Sequence, residues 1–585
     1  MLASPHEHAL DGAALSGAPE KRVVVSDLLR KRREQMFPKL SAAQIARLKA
    51  HGQTIEIRPG EVLAEPGSRQ LKVYVVLSGS IEILLPDEGD GQLLYMLTAG
   101  DFSGEMSTLR GSSAQTTLRV RRPGNAIALD SGQIRDVIQT DAELSELLMR
   151  AFILRRVALI QSNSGEITLL GSRHSADSLR LREFLTRNGQ PFHDVDIETD
   201  PDTAALFERF HLTAADMPVV VCRAAQMFRN PSNHDLAECL GLNPQVDDSR
   251  IYDLLIVGAG PAGLAAAVYG ASEGLNVRVV ETTAPGGQAG TSSKIENYLG
   301  FPTGISGRAL AGRALSQAQK FGAALSVAAD AVDLRCAQRP YSIQLADGKV
   351  LRGRSVLIAS GAQYRTLEVE NLSRFLGTGV YYAATALEQK LCQGEEIAII
   401  GGGNSAGQAA VYLARDCRRV HLLVRGKGLA ESMSNYLIRR IQETGNIQLH
   451  TQTQITHAEG SDRLERIGWL CSADGKREEH AIGHMFVMTG AAPNTPWLKG
   501  CVALDENGFV KTGPDLDAQS LLAARWPLER APHSMETSLP GVFAAGDVRA
   551  QSVKRVASAV GEGSICVQFV HRVLQETANP ASNAA

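Results

Sequence analysis

The chain has 585 residues, 44% hydrophobic and 21% charged, with a formal net charge of −3. That length suggests three or four domains of about 100–200 residues each, and the near-neutral charge argues against a bulk basic field for nucleic acid. No run of about 18 or more apolar residues occurs, so no helical membrane span is expected. No charged segment followed by an apolar stretch marks a signal peptide, and a cytoplasmic location is expected. The eight cysteines are Cys222, Cys239, Cys336, Cys392, Cys417, Cys471, Cys501 and Cys566, and none stand as C-x-x-C. Neither a zinc ribbon nor a redox dithiol is therefore readable locally, and the cysteines are expected to remain reduced. His480 and His484 lead into the apolar run Met485-Phe486-Val487-Met488, which reads as strand, so no metal site is expected there or elsewhere.

In chain order, residues 1–30 show no period and are expected to be flexible. The cluster Lys21, Arg22, Arg30, Lys31, Arg32 and Arg33 reads as a solvated face. Residues 31–160 form a first domain, in which 37–135 read as short strands separated by turns. The runs 73–77 and 81–85, joined by Ser78-Gly79-Ser80, read as a hairpin within a small antiparallel barrel or jelly roll. Residues 165–245 alternate strand and helix: a strand at 167–170, a helix from Ala176 to Asn188, a helix around 201–210 and a strand at 219–221. A linker around 241–250 follows. From Ile251 to about Gln575 the chain reads as repeated βαβ units, divided at 250–370, 371–492 and 493–575.

The chemistry concentrates in that last region. An apolar strand at 252–257 runs into Gly258-Ala259-Gly260-Pro261-Ala262-Gly263, and an Ala-rich helix follows. The first glycine permits the tight turn, the second lets backbone approach a pyrophosphate, and the third lets helix and strand pack closely. The next strand ends in Glu281, placed for a ribose hydroxyl. A second strand enters Gly401-Gly402-Gly403-Asn404-Ser405-Ala406. Here Val424 stands at the position equivalent to Glu281, and Arg425 and Lys427 follow it. Cations in place of the acid suit a 2′-phosphate, hence NADPH rather than NADH.

The region from Ile251 to Val573 resembles the thioredoxin reductase family of flavoproteins. Gly286-Gly287-Gln288 and Ile295-Glu296-Asn297-Tyr298 look like its flavin-contacting segment, and Ala359-Ser360-Gly361-Ala362 like its crossing motif. Gly541 to Asp547 resembles its distal flavin motif, followed by Lys554-Arg555-Val556-Ala557 and Gly561-Glu562-Gly563. The resemblance implies FAD held by Gly258, Gly260, Pro261, Ala262, Gly263, Glu281, Gly287, Gln288, Asn297, Gly361, Gly546, Asp547, Arg555, Val556 and Ala557. It implies NADPH held by Gly401, Gly403, Asn404, Ser405, Ala406, Arg425 and Lys427, and it suggests a homodimer. In the family a C-A-T-C-D motif begins the nicotinamide domain. The matching stretch here carries Ala383 and Ala386 in place of both cysteines, with Leu387 in place of the acid and Glu388 one position later. Without a thiolate there, dithiol exchange has no local nucleophile, as in the ferredoxin or flavodoxin reductases of the same fold. Glu388 is a candidate proton donor beside the flavin, and Cys392 reads as a buried thiol at the domain junction.

The region 37–135 resembles the cyclic-nucleotide-binding domain family through Pro59-Gly60-Glu61, Tyr74 to Gly79 and Gly104-Glu105-Met106. Gly104 and Glu105 would hold the ribose. The family's phosphate-pairing Arg falls at Ala114, with Arg110 offset by four and Ser103 inserted before Gly104. A missing bidentate Arg weakens phosphate binding, so a cyclic nucleotide effector and a contact or dimerisation role both stay open. Residues 166–245 resemble the glutaredoxin/thioredoxin fold, with Met217-Pro218 as its cis-proline turn and no cysteine at the redox position. The expected fold class is multidomain α/β, with two Rossmann-like dinucleotide-binding domains preceded by a β-roll cyclic-nucleotide-binding-like domain and a thioredoxin-fold module. The expected function is hydride transfer from NADPH to FAD and on to an unidentified acceptor, a small molecule or a redox protein. Two alternatives remain: a thioredoxin-disulfide reductase using remote cysteines, and a redox or cyclic-nucleotide sensor with little turnover.

Overall fold

The computed structural model describes residues 32–578 apart from 69–70, 86–90, 105, 111–112, 162–166, 174, 201–202, 204–206, 208–211, 214–215, 223–225, 245–248, 293, 366, 383 and 499. The segment expected to be flexible at 1–30, Glu105, Ala383 and most of the helix expected around 201–210 lie outside the described residues.

The first region contains β1 (Gln53–Ile57), β2 (Val62–Ala64), β3 (Val73–Val76), β4 (Ser80–Leu85), β5 (Gln92–Leu97), β6 (Thr117–Arg122) and β7 (Gly124–Leu129). They form two antiparallel sheets, in the orders β1-β7-β3 and β2-β6-β4-β5. This corrects the hairpin expected at 73–85. β3 pairs with β7, whereas β4 pairs with β5 and β6. Every residue of β3 and β4 is buried, so neither strand has the wet face that a solvent-edged hairpin leaves. The turn at Gly79 carries the chain from one sheet to the other. Gly124 permits that crossing, since a Cβ there would sit 2.1 Å from the Ser78 carbonyl oxygen. Helix α1 (Met106–Arg110) interrupts the strands, and α2 (Ser131–Thr140) and α3 (Ala142–Gln161) close the region.

Next come β8 (Ile167–Leu170), α4 (Ala176–Arg187), β9 (His193–Val195), β10 (Val219–Cys222) and β11 (Gln226–Arg229). The sheet order is β11-β10-β8-β9, with β8 parallel to β9 and antiparallel to β10. These are the strand order and senses of the thioredoxin fold. Met217–Pro218 is cis, and Cys222 is fully buried in the strand that follows.

The third sheet is built on β12 (Ile251–Val257), flanked in parallel by β13 (Val277–Val280) and β17 (Val350–Ile358). β14 (Ala324–Ser326), β15 (Ala331–Arg335) and β16 (Tyr341–Leu345) extend it. Helix α5 (Pro261–Ser272) crosses behind β12, and α6 (Gly307–Lys320) packs beside it. The chain leaves this sheet for a second one, ordered β19-β26-β20-β21-β22. Its strands are β19 (Val380–Tyr381), β20 (Glu396–Ile400), β21 (Arg419–Val424), β22 (Ile447–Thr451) and β26 (His484–Val487), all parallel. Helices α7 (Ala386–Leu391), α8 (Asn404–Leu413) and α9 (Asn435–Glu443) accompany them. β23 (Thr453–Glu459), β24 (Arg466–Cys471) and β25 (Arg477–His480) form an antiparallel sheet, β18 (Ala362–Tyr364) pairs with β27 (Ala491–Pro493), and His480 and His484 fall on separate strands, β25 and β26.

The chain then returns. β28 (Val542–Ala544) pairs in parallel with β17, and α10 (Val556–Ala578) lies against α5. That contact is close because Gly563 has no side chain, and a Cβ there would meet the Ala262 carbonyl oxygen at 2.1 Å.

One cysteine expectation is corrected. Cys336 and Cys501 form a disulfide 165 residues apart in sequence. Spacing alone did not show it, because β15 and the 3-10 turn at Pro496–Leu498 meet only after the five-stranded parallel sheet has been inserted between them. Closing a loop of that length removes unfolded-state entropy worth about 5 kcal/mol in the chain-entropy account. Cys336→Ser is therefore expected to lower Tm by several degrees in non-reducing buffer. Excess dithiothreitol should bring the native protein down to the variant's Tm. An unchanged Tm in both experiments would show that the bridge contributes nothing.

Candidate active site

The first loop has the shape its glycines require. Gly258 takes φ +104°, and a Cβ there would meet the Ala359 carbonyl oxygen at 2.2 Å. A Cβ on Gly263 would lie 1.9 Å from the Gly258 oxygen, whereas one on Gly260 would meet nothing within 4 Å. The loop is thus tight below Gly263 and open above Gly260, at the N-terminus of α5. That open cradle is where a pyrophosphate would approach. Glu281 follows β13 and is buried. Its carboxylate accepts from the Ala259 N–H at 2.7 Å and the Thr283 N–H at 3.1 Å. Burial pushes its pKa up, against those hydrogen bonds.

The glycine segment after Glu281 folds over the cradle, and a Cβ on Gly287 would approach the Gly260 Cα at 3.0 Å. The Gln288 amide donates to the Ala362 carbonyl. The crossing motif is clamped from the distant return segment: Ser360 Oγ donates to the Asn494 carbonyl and Asn494 Nδ2 to the Ser360 carbonyl, both at 2.8 Å. Gly361 takes φ +66°. Asn297 is exposed. Gly546 and Asp547 lie in a 3-10 turn after β28. Burial holds the Asp547 carboxyl above the ordinary range, against the Lys554 ammonium. Such a carboxyl suits the hydroxyls of a ribityl chain. Glu562 fixes this turn by accepting from the Gly546 N–H at 2.7 Å and from Arg549 at 2.6 Å. Arg555 and Ala557 are exposed and Val556 half-buried at the start of α10. These groups together fit FAD.

Two contributors here escaped the sequence reading. Arg187 of α4 donates to the Gly287 carbonyl at 2.9 Å, and Asn188 donates to the Thr283 carbonyl at 3.1 Å. Nothing local in 176–188 signals a role 100 residues away.

At the second loop, Gly401 takes φ +144° because a Cβ would meet the Met488 carbonyl oxygen at 2.3 Å. Ala406 is fully buried at the start of α8, while Ser405 is exposed. A Cβ on Gly403 would meet only the Ser432 oxygen, at 3.9 Å. Asn404 Oδ1 accepts from the Ser434 N–H at 2.7 Å, so its side chain shapes the neighbouring loop. Arg425 and Lys427 are exposed just past β21, with no carboxylate partner among the described residues. Exposed, unneutralised cations at that edge fit a 2′-phosphate.

Ala386 begins α7, where the sequence departs from the resembled dithiol. Glu388 is buried in that helix and caps it, accepting from the Thr385 N–H at 2.8 Å and from the Thr385 hydroxyl. Burial pushes its pKa above the ordinary carboxylate range. A raised folded pKa means that the stability contribution is full below the unfolded value and is lost as pH rises through the folded value. Glu388→Gln keeps the cap and removes the charge, so it should raise Tm at neutral pH. The gain should vanish below about pH 4, where both states hold the proton. A neutral-pH Tm equal to or below that of the native protein would contradict this. Cys392 follows α7 at 0% exposure, its Sγ 3.6 Å from the Cys417 Sγ, which is 5% exposed. The Cys417 sulfur and burial push the Cys392 thiol up, so it stays protonated.

In the β-roll, Gly104 and Ala114 line a cavity of about 60 Å³. Arg155 of α3 enters the same space, with its guanidinium 4.6 Å from the ring centres of Phe37 and Phe102. It donates to the Met36 and Gly104 carbonyls at 2.8 Å each. The cavity is far below the roughly 300 Å³ of a small-molecule site.

Two dinucleotide cradles, each at the end of a parallel strand of two linked sheets, define a two-nucleotide oxidoreductase architecture. Residues 252–563 match the pyridine nucleotide-disulphide oxidoreductase family, and the chain belongs to it. Residues 54–141 match the cyclic nucleotide-binding domain. The thioredoxin reductase of Bacillus subtilis (strain 168) is 29% identical over 333 residues, covering 57% of this chain and 97% of that protein. That of Mycolicibacterium smegmatis is 31% identical over 327 residues, covering 56% and 97%. Among solved structures, Lactococcus lactis thioredoxin reductase in its FR conformation aligns with a TM-score of 0.50 at 27% identity, covering 56% of this chain and 99% of that one. The chain is an FAD-dependent oxidoreductase, and its cofactors are those of this family, FAD and NADPH.

Proposed function

We propose that this protein moves electrons from NADPH through FAD to an acceptor that meets the flavin directly, with no active-site dithiol. FAD supplies the two-electron centre that accepts hydride. Gly260 and Gly287 hold its pyrophosphate, Glu281 its ribose, and Asp547 its ribityl hydroxyls, with Gln288 and Asn297 alongside. Gly403, Ser405, Arg425 and Lys427 hold NADPH. Glu388 is a proton store at the start of the nicotinamide side, buried and biased toward its acid form. The observation that carries the reading is the pair Ala383 and Ala386 at the resembled dithiol position, together with burial of Cys392 and Cys417. The acceptor is a small oxidant or a redox protein, and the working form is a cytoplasmic homodimer. A cyclic nucleotide enters the β-roll only after Arg155 withdraws.

The test offers the NADPH-reduced enzyme a quinone, a ferredoxin-type protein and a thioredoxin disulfide under anaerobic conditions. Rapid reoxidation by one of the first two, undiminished in Cys392→Ser and Cys417→Ser, is expected. A second reading rests on the 3.6 Å approach of Cys392 and Cys417: thioredoxin-disulfide reduction through remote cysteines. It requires the disulfide to be the competent acceptor and either serine variant to abolish turnover.

One contact bears on how the two sheets face each other. Arg440 of α9 pairs with Glu296, which also pairs with Lys294 at 2.9 Å. A half-exposed pair is worth about 0–1 kcal/mol, enough to bias a near-balanced equilibrium between two placements of one sheet against the other. Arg440→Ala should change the rate of flavin reduction by NADPH severalfold at low salt and much less at high salt. An equal effect at both salts would remove the electrostatic explanation.

A further inference from the structure

A cavity of about 1290 Å³ lies where three regions meet. Its walls are α3 of the β-roll, the end of α4 in the thioredoxin-fold module, and α6 of the flavin-side sheet. Arg150, Arg156, Arg187, Arg308, Arg313 and Lys320 line it, against one carboxylate among the described residues, that of Glu146. Arg150 pairs with Glu146 and Arg187 with Glu183, while Arg308, Arg313 and Lys320 have no carboxylate partner among the described residues. The Arg187 Nε is buried and finds no acceptor among the described residues. The rest of the lining mixes uncharged polar side chains, such as Gln115, Gln190, Ser306 and Gln319, with an aliphatic stretch. Ile153 and Val157, one turn apart on α3, are left 40% and 37% exposed and face this space with Leu154, Met149 and Leu315. No aromatic ring lines it among the described residues.

Each feature narrows the ligand. Unneutralised cations select an anion. The aliphatic stretch rewards a flexible hydrocarbon body, at about 25 cal/mol per Å² covered. Without a ring to stack on, a nucleobase gains little there. The volume exceeds the roughly 300–1,000 Å³ of an ordinary ligand site, which suits a long molecule. We propose that this cavity binds an aliphatic chain ending in an anionic head group, a carboxylate or a phosphate monoester, as an effector of the enzyme.

Binding there reaches the flavin side through bonds already described. Arg187 carries the Gly287 carbonyl and Asn188 the Thr283 carbonyl. On the other wall, Arg156 donates to Gln115 Oε1 at 2.6 Å and to the Gly189 carbonyl at 2.8 Å, and it sits beside Arg155 on α3. A ligand drawing on Arg187 competes with the Gly287 carbonyl for its guanidinium. The kinetic consequence rests on FAD lying beside Gly287, whereas the binding itself does not.

The test is calorimetry on the FAD-loaded full chain with decanoate, decyl phosphate, decanol and decyltrimethylammonium, each below its micelle threshold. Saturable binding of at least one anion is expected, at least about tenfold tighter than decanol, which corresponds to about 1.4 kcal/mol. The tighter of the two anions identifies the head group. Arg308→Glu with Arg313→Glu should weaken the anions by a similar factor and leave decanol unchanged. Ile153→Asp, checked for flavin content and Tm, should weaken binding of decanol and of both anions by making the apolar stretch of α3 polar. In parallel, the better anion should alter the rate of NADPH-driven flavin reduction. No saturable anion binding, equal binding of the cationic amphiphile, or indifference to the charge reversal would overturn the proposal. Binding without a rate change would retain the site and remove its coupling to the flavin.

Discussion

Gly260→Ala should give a folded protein that retains little FAD, and Gly263→Ala should give one that is destabilised before FAD is considered. The two glycines lie three residues apart in one loop and face opposite demands. A methyl on Gly260 meets no protein atom within 4 Å, and the backbone there, with φ −68°, accepts any residue. The methyl would occupy only the space where the pyrophosphate must approach. Affinity for FAD should fall by at least about tenfold, read as the flavin-to-protein absorbance ratio after gel filtration, with Tm of the FAD-stripped form unchanged. A methyl on Gly263 lies 1.9 Å from the Gly258 carbonyl oxygen and 3.2 Å from Ile256. The Gly258 carbonyl is backbone rather than the end of a flexible side chain, so strand and helix must separate, at a cost of about 1–3 kcal/mol or more. Equal flavin retention in Gly260→Ala and the native chain would place the cofactor elsewhere.

Removing both Arg425 and Lys427 should convert a preference for NADPH into near-indifference between NADPH and NADH. Both side chains are exposed beyond β21, and no carboxylate neutralises them among the described residues. A hydrogen bond to a charged group contributes about 1.5–3 kcal/mol. Loss of two such contacts should raise KM for NADPH by at least about a hundredfold. KM for NADH should barely move, because Val424 offers its 2′-hydroxyl no acceptor in either protein. A parallel rise for both nucleotides would indicate damage to the loop rather than loss of a phosphate contact.

The sequence made legible what is decided locally. The glycines, Glu281 and the cations after Val424 sit at fixed offsets from strands whose apolar runs are unmistakable, and the structure puts each at the edge where its strand ends. Partner choice was not legible in the same way. The runs at 73–77 and 81–85 were readable as strands, but their separation into two sheets depends on β7, about 50 residues beyond the first, and β6, about 40 beyond the second. The Cys336–Cys501 bridge, the Arg187 contact with Gly287 and the entry of Arg155 into the β-roll are likewise products of tertiary approach. Glu562 stood in a recognisable Gly-Glu-Gly motif, yet its hold on Gly546 appears only once α10 lies against α5.

The central claim, electron transfer without a dithiol, is tested most directly by anaerobic titration of the FAD-loaded protein with NADPH, following flavin bleaching and free thiols together. One NADPH per FAD, with no new thiols, is the predicted endpoint. Two NADPH per FAD with the appearance of two thiols would contradict it, and repeating the titration on Cys392→Ser and on Cys336→Ser would show which sulfurs had taken the second pair of electrons.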